Sequence, residues 1–333
     1  MRILPANFEE MEEKYISGLA KMVHQFTIPP DLVYGQDETN AQFVSRPNKT
    51  RAEKGAKRVR TLGVGHEKPQ ITVTFTLKET GDVVGMHQLI FGGKTLRCEP
   101  KVAARCSYYD HTESHWQTPS TYETYIKNVI IPDKTATISR LNLPLDQKSI
   151  VLHDLHYSHK DAKVLKLMSD NNIFSVYIPA GCTDVMQTCD TVANKPFKVG
   201  LKAAFKYYLY DELTKWLALN PDTETRGLFN PKFNMGTLKE RISGFVNIGM
   251  DTLKTPEMKV CIANAFARDS RFTIIRSERA AIVALQAMNF EEPDIPVGVE
   301  LQGEAEEINA DNDPVFAGYR DQNVSDSDSD DSD

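Results

Sequence analysis

The chain has no long apolar run. Across its 333 residues nothing approaches the roughly 20 consecutive apolar side chains that a bilayer-spanning helix needs. The opening Met1-Arg2-Ile3-Leu4-Pro5 has no signal-peptide core, so neither membrane insertion nor secretion is expected. Cysteine is sparse. Cys98, Cys106, Cys182, Cys189 and Cys261 form an odd set with no C-x-x-C pair. That argues against a disulfide framework and for reduced thiols in the cytosol or nucleus. No internal repeat is present, which excludes a solenoid or propeller. Bases are nearly missing from one segment: residues 291–333 carry 15 acids against a single Arg320.

That last absence divides the charge. The chain as a whole is at -7, but residues 1–290 hold 38 bases and 31 acids, a net of +7. A basic body with an acidic arm suits a protein that faces nucleic acid. The arm ends Ser325-Asp326-Ser327-Asp328-Ser329-Asp330-Asp331-Ser332-Asp333 and loses all periodicity after Pro293, so it is expected to be disordered. Its serines are set among acids, as acidophilic kinases prefer, and the arm could equally dock a protein partner or only solubilise the chain. The body is 41% hydrophobic over the whole sequence, enough for a sizeable core in one large domain or two modest ones.

Along the body, residues 8–24 place Met11, Tyr15, Ile16, Leu19 and Val23 at helical spacing, and Pro29-Pro30 blocks extension. Residues 31–37 read as a short strand running into acids. Residues 46–60 are turn-rich and strongly basic, fitting a solvated loop, a nuclear import signal or a phosphate-contacting strip. Residues 71–77 and 83–91 alternate in the β manner around Glu79-Thr80-Gly81-Asp82, which predicts a hairpin. Cys98, Cys106, His111 and His115 are spaced C-x7-C-x4-H-x3-H, too wide between the cysteines for an ordinary zinc site. A helix over 120–131 is expected to end at Pro132. Residues 149–154, 158–171 and 173–178 then read as strand, helix and strand, a parallel βαβ unit. A loop over 179–188 precedes a long amphipathic helix over 190–219, and three more helices are expected at 237–250, 256–267 and 277–288.

Three carboxylates fall at element ends: Asp37 after the first strand, Asp154 after a later one, and Asp190 at a helix start. The 35 residues between Asp154 and Asp190 amount to one helix and one strand, so the chain can return to the same sheet edge. Oxygen ligands without thiol or imidazole suit Mg²⁺ or Mn²⁺. Two such ions about 4 Å apart can activate water or a 3′-hydroxyl and stabilise the leaving oxygen in displacement at a phosphate. His153, His156 and His159 are spaced i, i+3, i+6 in a strand-to-helix turn, which is poor zinc geometry.

The residues carry a resemblance. Gly35-Gln36-Asp37-Glu38-Thr39 resembles the N-x-D-E-T motif of pogo/Tigger-group transposases of the DDE superfamily, and residues 46–59 resemble that family's R-x-x-G-x-K-x-V segment. Asp154 and His159 match its second motif. Residues 178–198 match P-x-G-C-T-x-x-x-Q-P-x-D-x-x-x-N-K-P-F-K through Pro179, Gly181, Cys182, Thr183, Gln187, Asp190, Asn194, Lys195, Pro196, Phe197 and Lys198. Thr188 departs from the motif's proline. The likeness spans about residues 5–290 and extends to the transposase-derived part of centromere protein B and to jerky-type proteins.

The resemblance implies an α/β, RNase H-like fold: a mixed five-stranded sheet flanked by helices within residues 1–219, a helical extension over 220–290, and the disordered acidic tail over 291–333. It implies that Asp37, Asp154 and Asp190 are catalytic and hold two Mg²⁺ or Mn²⁺ ions, with His159 and Gln187 as supporting groups. Lys49, Arg51, Lys54, Lys57, Arg58, Lys195 and Lys198 would contact DNA. A nuclear protein and a homodimer are expected. Family members carry N-terminal helix-turn-helix domains, whereas Met1 lies 36 residues before Asp37, room for one helix. A truncated gene model and a core kept on its own both fit that spacing. Two functions therefore stand: a metal-dependent endonuclease or strand-transferase, or a domesticated, non-catalytic DNA-binding or chromatin protein.

Overall fold

A computed structural model of the chain describes residues 4–42, 70–93, 107–221 and 235–287. The basic strip with Lys49, Arg51, Lys54, Lys57 and Arg58, both cysteines of the wide-spaced zinc pattern, and the acidic tail lie outside the described residues.

Helix α1 (Phe8–Gln25) leads into β1 (Val33–Gln42). Strands β2 (Gln70–Lys78), β3 (His87–Gly92) and β4 (Ser107–Thr112) follow. Helices α2 (Pro119–Tyr125) and α3 (Ile131–Leu141) precede β5 (Ser149–His153), α4 (Ala162–Asp170) and β6 (Ile173–Tyr177). The remaining helices are α5 (Thr183–Met186), α6 (Asn194–Leu219), α7 (Met235–Asp251), α8 (Pro256–Arg268), α9 (Phe272–Ile275) and α10 (Glu278–Ala287). Among the described residues, none of these helices is long and apolar enough to cross a membrane.

The sheet has six strands in the order β4-β3-β2-β1-β5-β6. Pairing is antiparallel for β1/β2 and β2/β3, and parallel for β1/β5, β5/β6 and β3/β4. Only β2 runs against the others. The order and directions over β3 to β6 are those of the RNase H-like sheet, and the expected parallel βαβ unit is β5-α4-β6. The count corrects the expected five. The additional strand β4, Ser-Tyr-Tyr-Asp-His-Thr, is polar and only partly buried beyond Ser107, so it lacks the apolar alternation that marks a strand in sequence.

Helices cover both faces. Successive side chains on a strand point to opposite sides: Tyr34 of β1 bonds Asp133 of α3 on one face, and Asp37 bonds Asn194 of α6 on the other. Gly35 makes the second face possible: a Cβ there would stand 2.9 Å from the Phe266 ring of α8. Phe197 of α6 packs on Phe75 of β2 at 5.8 Å between ring centroids and is fully buried. Truncating such a ring to alanine costs about 3–5 kcal/mol. Residues of α7 to α10, including Leu238, Ile242, Phe266 and Ile275, belong to the same apolar cluster as the strands.

Two local differences from expectation have physical causes. Pro132 does not end the helix before it. A π-type turn at Ile126–Ile130 resets the hydrogen bonding, and the proline takes the first turn of α3, where its missing N–H is not needed. Asp37 is not at the tip of a strand, because β1 runs on to Gln42, held by β2 through the register Asp37↔Phe75 to Gln42↔Gln70.

Candidate active site

Strand β5 pairs with β1 only from Val33 to Gly35. Beyond Gly35, among the described residues, no strand pairs with the β5 side of β1, and Asp154 lies immediately after β5. Asp37 and Glu38 sit on the overhang, one toward each helical layer. Asp37 is 7% exposed and Asp154 half-buried, while Asp190 lies exposed on the rim.

Asp190 reaches this notch through a second π-type turn, Cys189–Ala193, that runs into α6. Such a turn widens one helical step and recurs at functional sites. Its start is held by the Gln187 carbonyl, which accepts the N–H groups of Asp190 and Thr191, both at 3.1 Å. Gln187 thus supports the site through its backbone. Its buried Nε2 has no partner among the described residues. Thr188, in place of the motif's proline, shares a hydrogen bond with Ser270 at 3.0 Å.

Asn194 is the junction of one half of the site. Its Nδ2 donates to Asp37 Oδ2 at 2.8 Å and to Asp190 Oδ1 at 2.7 Å. The motif contains this asparagine, but sequence reading assigned it no role. The signal available was its i, i+4 spacing from Asp190, which stacks the two side chains on one helical face.

His159 is the junction of the other half. Its Nδ1 lies 3.0 Å from Asp154 Oδ1 and its Nε2 3.0 Å from Glu38 Oε1. The remaining neighbours of its nitrogens are the Asp154 carbonyl at 3.1 Å and Gln117 Oε1 at 3.2 Å. Every partner is an oxygen that accepts, so both nitrogens must donate, and the ring is an imidazolium. Burial alone would depress its pKa, but the charge of Glu38 and hydrogen bonds to Asp154 and Glu38 outweigh that and raise it to about 10. Glu38, Asp154 and His159 each offer a ligand atom within 4.8 Å of the others. With both nitrogens donating, that trio acts as an ion-paired clamp. His153 is neutral beneath it: burial lowers its pKa, and its ring stacks on His159 at 4.6 Å and on Tyr177 at 4.9 Å.

The carboxyls divide accordingly. Burial alone would raise Asp154, but the hydrogen bond and charge of His159 and the His156 N–H hold it well below the ordinary carboxylate value. Asp37 is pushed well above its usual value by burial first, then by Asp190, Glu38 and Asp154, against the hydrogen bond from Asn194. Asp190 is raised by lost hydration, with Asp184 and Asp154 adding, while Asn194 and Lys198 oppose. The four acids exceed their one imidazolium in charge. An all-oxygen set of Asp37, Asp154 and Asp190 with surplus negative charge fits a hard divalent cation such as Mg²⁺ or Mn²⁺.

Among the DNA-contact candidates within the described residues, Lys195 is exposed and Lys198 is partly buried, with its charge acting on Asp190. Cys189 is buried, and burial and the nearby acids raise its thiol, so it is no nucleophile. His111 and His115 lie on and just after β4. His115 spends its ring nitrogens on Gln70 at 2.8 Å and Thr72 at 3.4 Å.

No curated protein matches the chain. Solved structures that resemble it include the catalytic domain of Mos1 mariner transposase, at 13% identity and a TM-score of 0.36, covering 76% of this chain and 98% of that one. The Mos1 paired-end complex with the left transposon end follows at 14% identity and 0.35, with 77% and 66% covered. The Mos1 paired-end complex with Mn stands at 14% and 0.36, with 82% and 66% covered. The chain thus spans just under two thirds of the Mos1 chain in those complexes. Over residues 87–226, which hold Asp154 and Asp190, the chain matches the family of DDE superfamily endonucleases.

Proposed function

We propose that this chain is the core of a metal-dependent enzyme that cuts or joins DNA phosphodiesters. The observation that carries the reading is the notch beside β1. There Asn194 joins Asp37 to Asp190, His159 holds Asp154, and Asp154 lies near enough for its charge to act on both other acids. Asp37, Asp154 and Asp190 would hold two Mg²⁺ or Mn²⁺ ions, whose chemistry is to activate water or a 3′-hydroxyl and to stabilise the leaving oxygen. Asn194 keeps Asp37 and Asp190 aligned. His159 orients Asp154 and ties it to Glu38 across the sheet. Lys195 and Lys198 of α6 flank the notch and would take the phosphate backbone in sequence-independent contacts. The finer assignment follows the motifs: a pogo/Tigger-group core working in the nucleus.

Nicking of supercoiled plasmid tests this. Wild type should nick in Mn²⁺, and Asp154→Ala should lose at least about a thousandfold, some 4 kcal/mol of barrier. A folded wild type that binds DNA yet stays silent in Mn²⁺ overturns the catalytic reading in favour of a domesticated, DNA-binding scaffold.

A further inference from the structure

Glutamine is mostly a surface residue, yet Gln117 is 2% exposed. It stands one residue before Thr118, the N-cap of α2, where the side chains of Thr118 and Thr121 close a capping box and Pro119 takes the first helical position. The backbone that follows Gln117 is therefore fixed.

Three consecutive residues of the turn between β5 and α4 donate to Gln117. The Tyr157 hydroxyl donates to its carbonyl at 3.1 Å. Ser158 Oγ donates to its Oε1 at 3.1 Å, and His159 Nε2 to the same Oε1 at 3.2 Å. In the other direction its Nε2 donates to Thr74 Oγ1 of β2 at 3.2 Å. The amide is thereby oriented, oxygen toward the turn and nitrogen toward the sheet. It links β2 to the turn that carries His159.

His159 needs that link to hold its aim. Its ring stacks on His153 at 4.6 Å, with 10° between the planes, and lies 4.4 Å from Tyr122. Stacking sets the plane of a ring but leaves it free to turn within the plane. Hydrogen bonds at the two ring nitrogens stop that turn, because they weaken steeply as the angle at the hydrogen closes. Nδ1 faces Asp154 Oδ1 at 3.0 Å, and Nε2 is shared between Glu38 at 3.0 Å and Gln117. Glu38 supplies the charge, and Gln117 supplies a second, neutral acceptor that fixes the direction of the Nε2–H.

Resting on the phosphodiester reading above, we infer that Gln117 is a positioning residue for the metal site: it fixes the turn of the His159 ring and so the aim of the Asp154 carboxylate. Groups that hold a metal ligand from outside are worth about 10- to 100-fold in metal affinity or activity, and Gln117, one bond further out, belongs at the lower end.

Gln117→Met keeps the length of the side chain and removes its amide. It should weaken Mn²⁺ affinity, read as free Mn²⁺ by electron paramagnetic resonance, about 10-fold. It should lower kcat for plasmid nicking by a similar factor and leave KM for DNA unchanged, because Gln117 is too deeply buried to touch DNA. Gln117→Glu restores an acceptor for His159 and should recover most of both losses. Thr74→Val removes only the anchor of the amide and should move both readouts in the same direction by less. A Gln117→Met protein that melts at a lower temperature yet binds Mn²⁺ and nicks as wild type does overturns the inference and leaves the phosphodiester reading standing. Should Gln117→Met fail to fold, Thr74→Val decides, and wild-type Mn²⁺ affinity in that variant overturns the inference. A wild type that neither binds Mn²⁺ nor nicks DNA overturns both.

Discussion

The two ends of strand β1 treat buried charge in opposite ways. Near its start, acids meet bases. Lys78 lies 2.6 Å from Asp133, which also accepts the Tyr34 hydroxyl at 2.9 Å, and Lys78 donates to Thr137 at 3.0 Å. Glu79 binds Arg276 through two hydrogen bonds, at 2.5 and 2.6 Å, and Arg276 also caps the Ile28 carbonyl at 3.0 Å. Toward its other end, among the described residues, Asp37, Glu38, Asp154 and Asp190 share the His159 imidazolium and Asn194, with Lys198 acting on Asp190 alone. The first arrangement holds α3 and α9 to the sheet. The second crowds like charges, which raises the pKa values of Asp37 and Asp190. Similar acids are matched by bases at one end and crowded together at the other, as the proposed metal site requires.

Three experiments would break or sharpen that contrast. The largest effect is expected at the paired end. Lys78→Met leaves half-buried Asp133 without its salt-bridge partner, and should cost about 3–5 kcal/mol in urea denaturation. A loss below about 1 kcal/mol would mean that the pairs are as dispensable as surface ones.

Acid should act next, through His87 at the start of β3, on the paired side. Burial, and then the charge of Lys254, lower its pKa from 6.5 to about 3. Below pH 6.5 the unfolded chain takes up a proton that the folded chain refuses, so stability falls as pH drops from 6.5 toward 3. Between pH 6.5 and 5 the loss attributable to this group should be about 2 kcal/mol at most, and His87→Gln should remove it. A variant with the same pH dependence as wild type would show that His87 is not the sensor.

The smallest effect has the opposite sign. Asp37→Asn, measured in chelator, keeps an oxygen for Asn194 and removes one of four crowded charges. It should raise stability by about 1 kcal/mol while abolishing nicking. Destabilisation instead would remove the notion that this end is held in an unfavourable state.

Particular residues show how far sequence reading reaches. Asp154 and Asp190 were recognisable because an isolated acid next to an apolar strand or helix start is conspicuous. Asp37 was found, but its setting was not, since nothing local reveals that β2 holds β1 straight through to Gln42. Glu38 was passed over because neighbours on a strand face opposite ways, and only His159, in the turn between β5 and α4, gives that second face a purpose. Asn194 looked like part of a helix. Strand β4 was missed because its polar sequence is paired along one edge only.

The chain by itself determined its periodic elements, the βαβ return, its split charge and the acids able to take a metal. These follow from local spacing and composition, which require no knowledge of what lies across the fold. Tertiary structure alone decided which acids gain a base and which share Asn194 and His159. Those outcomes depend on burial and on contacts between distant segments, and the strength of a charge is set by what the rest of the molecule places around it.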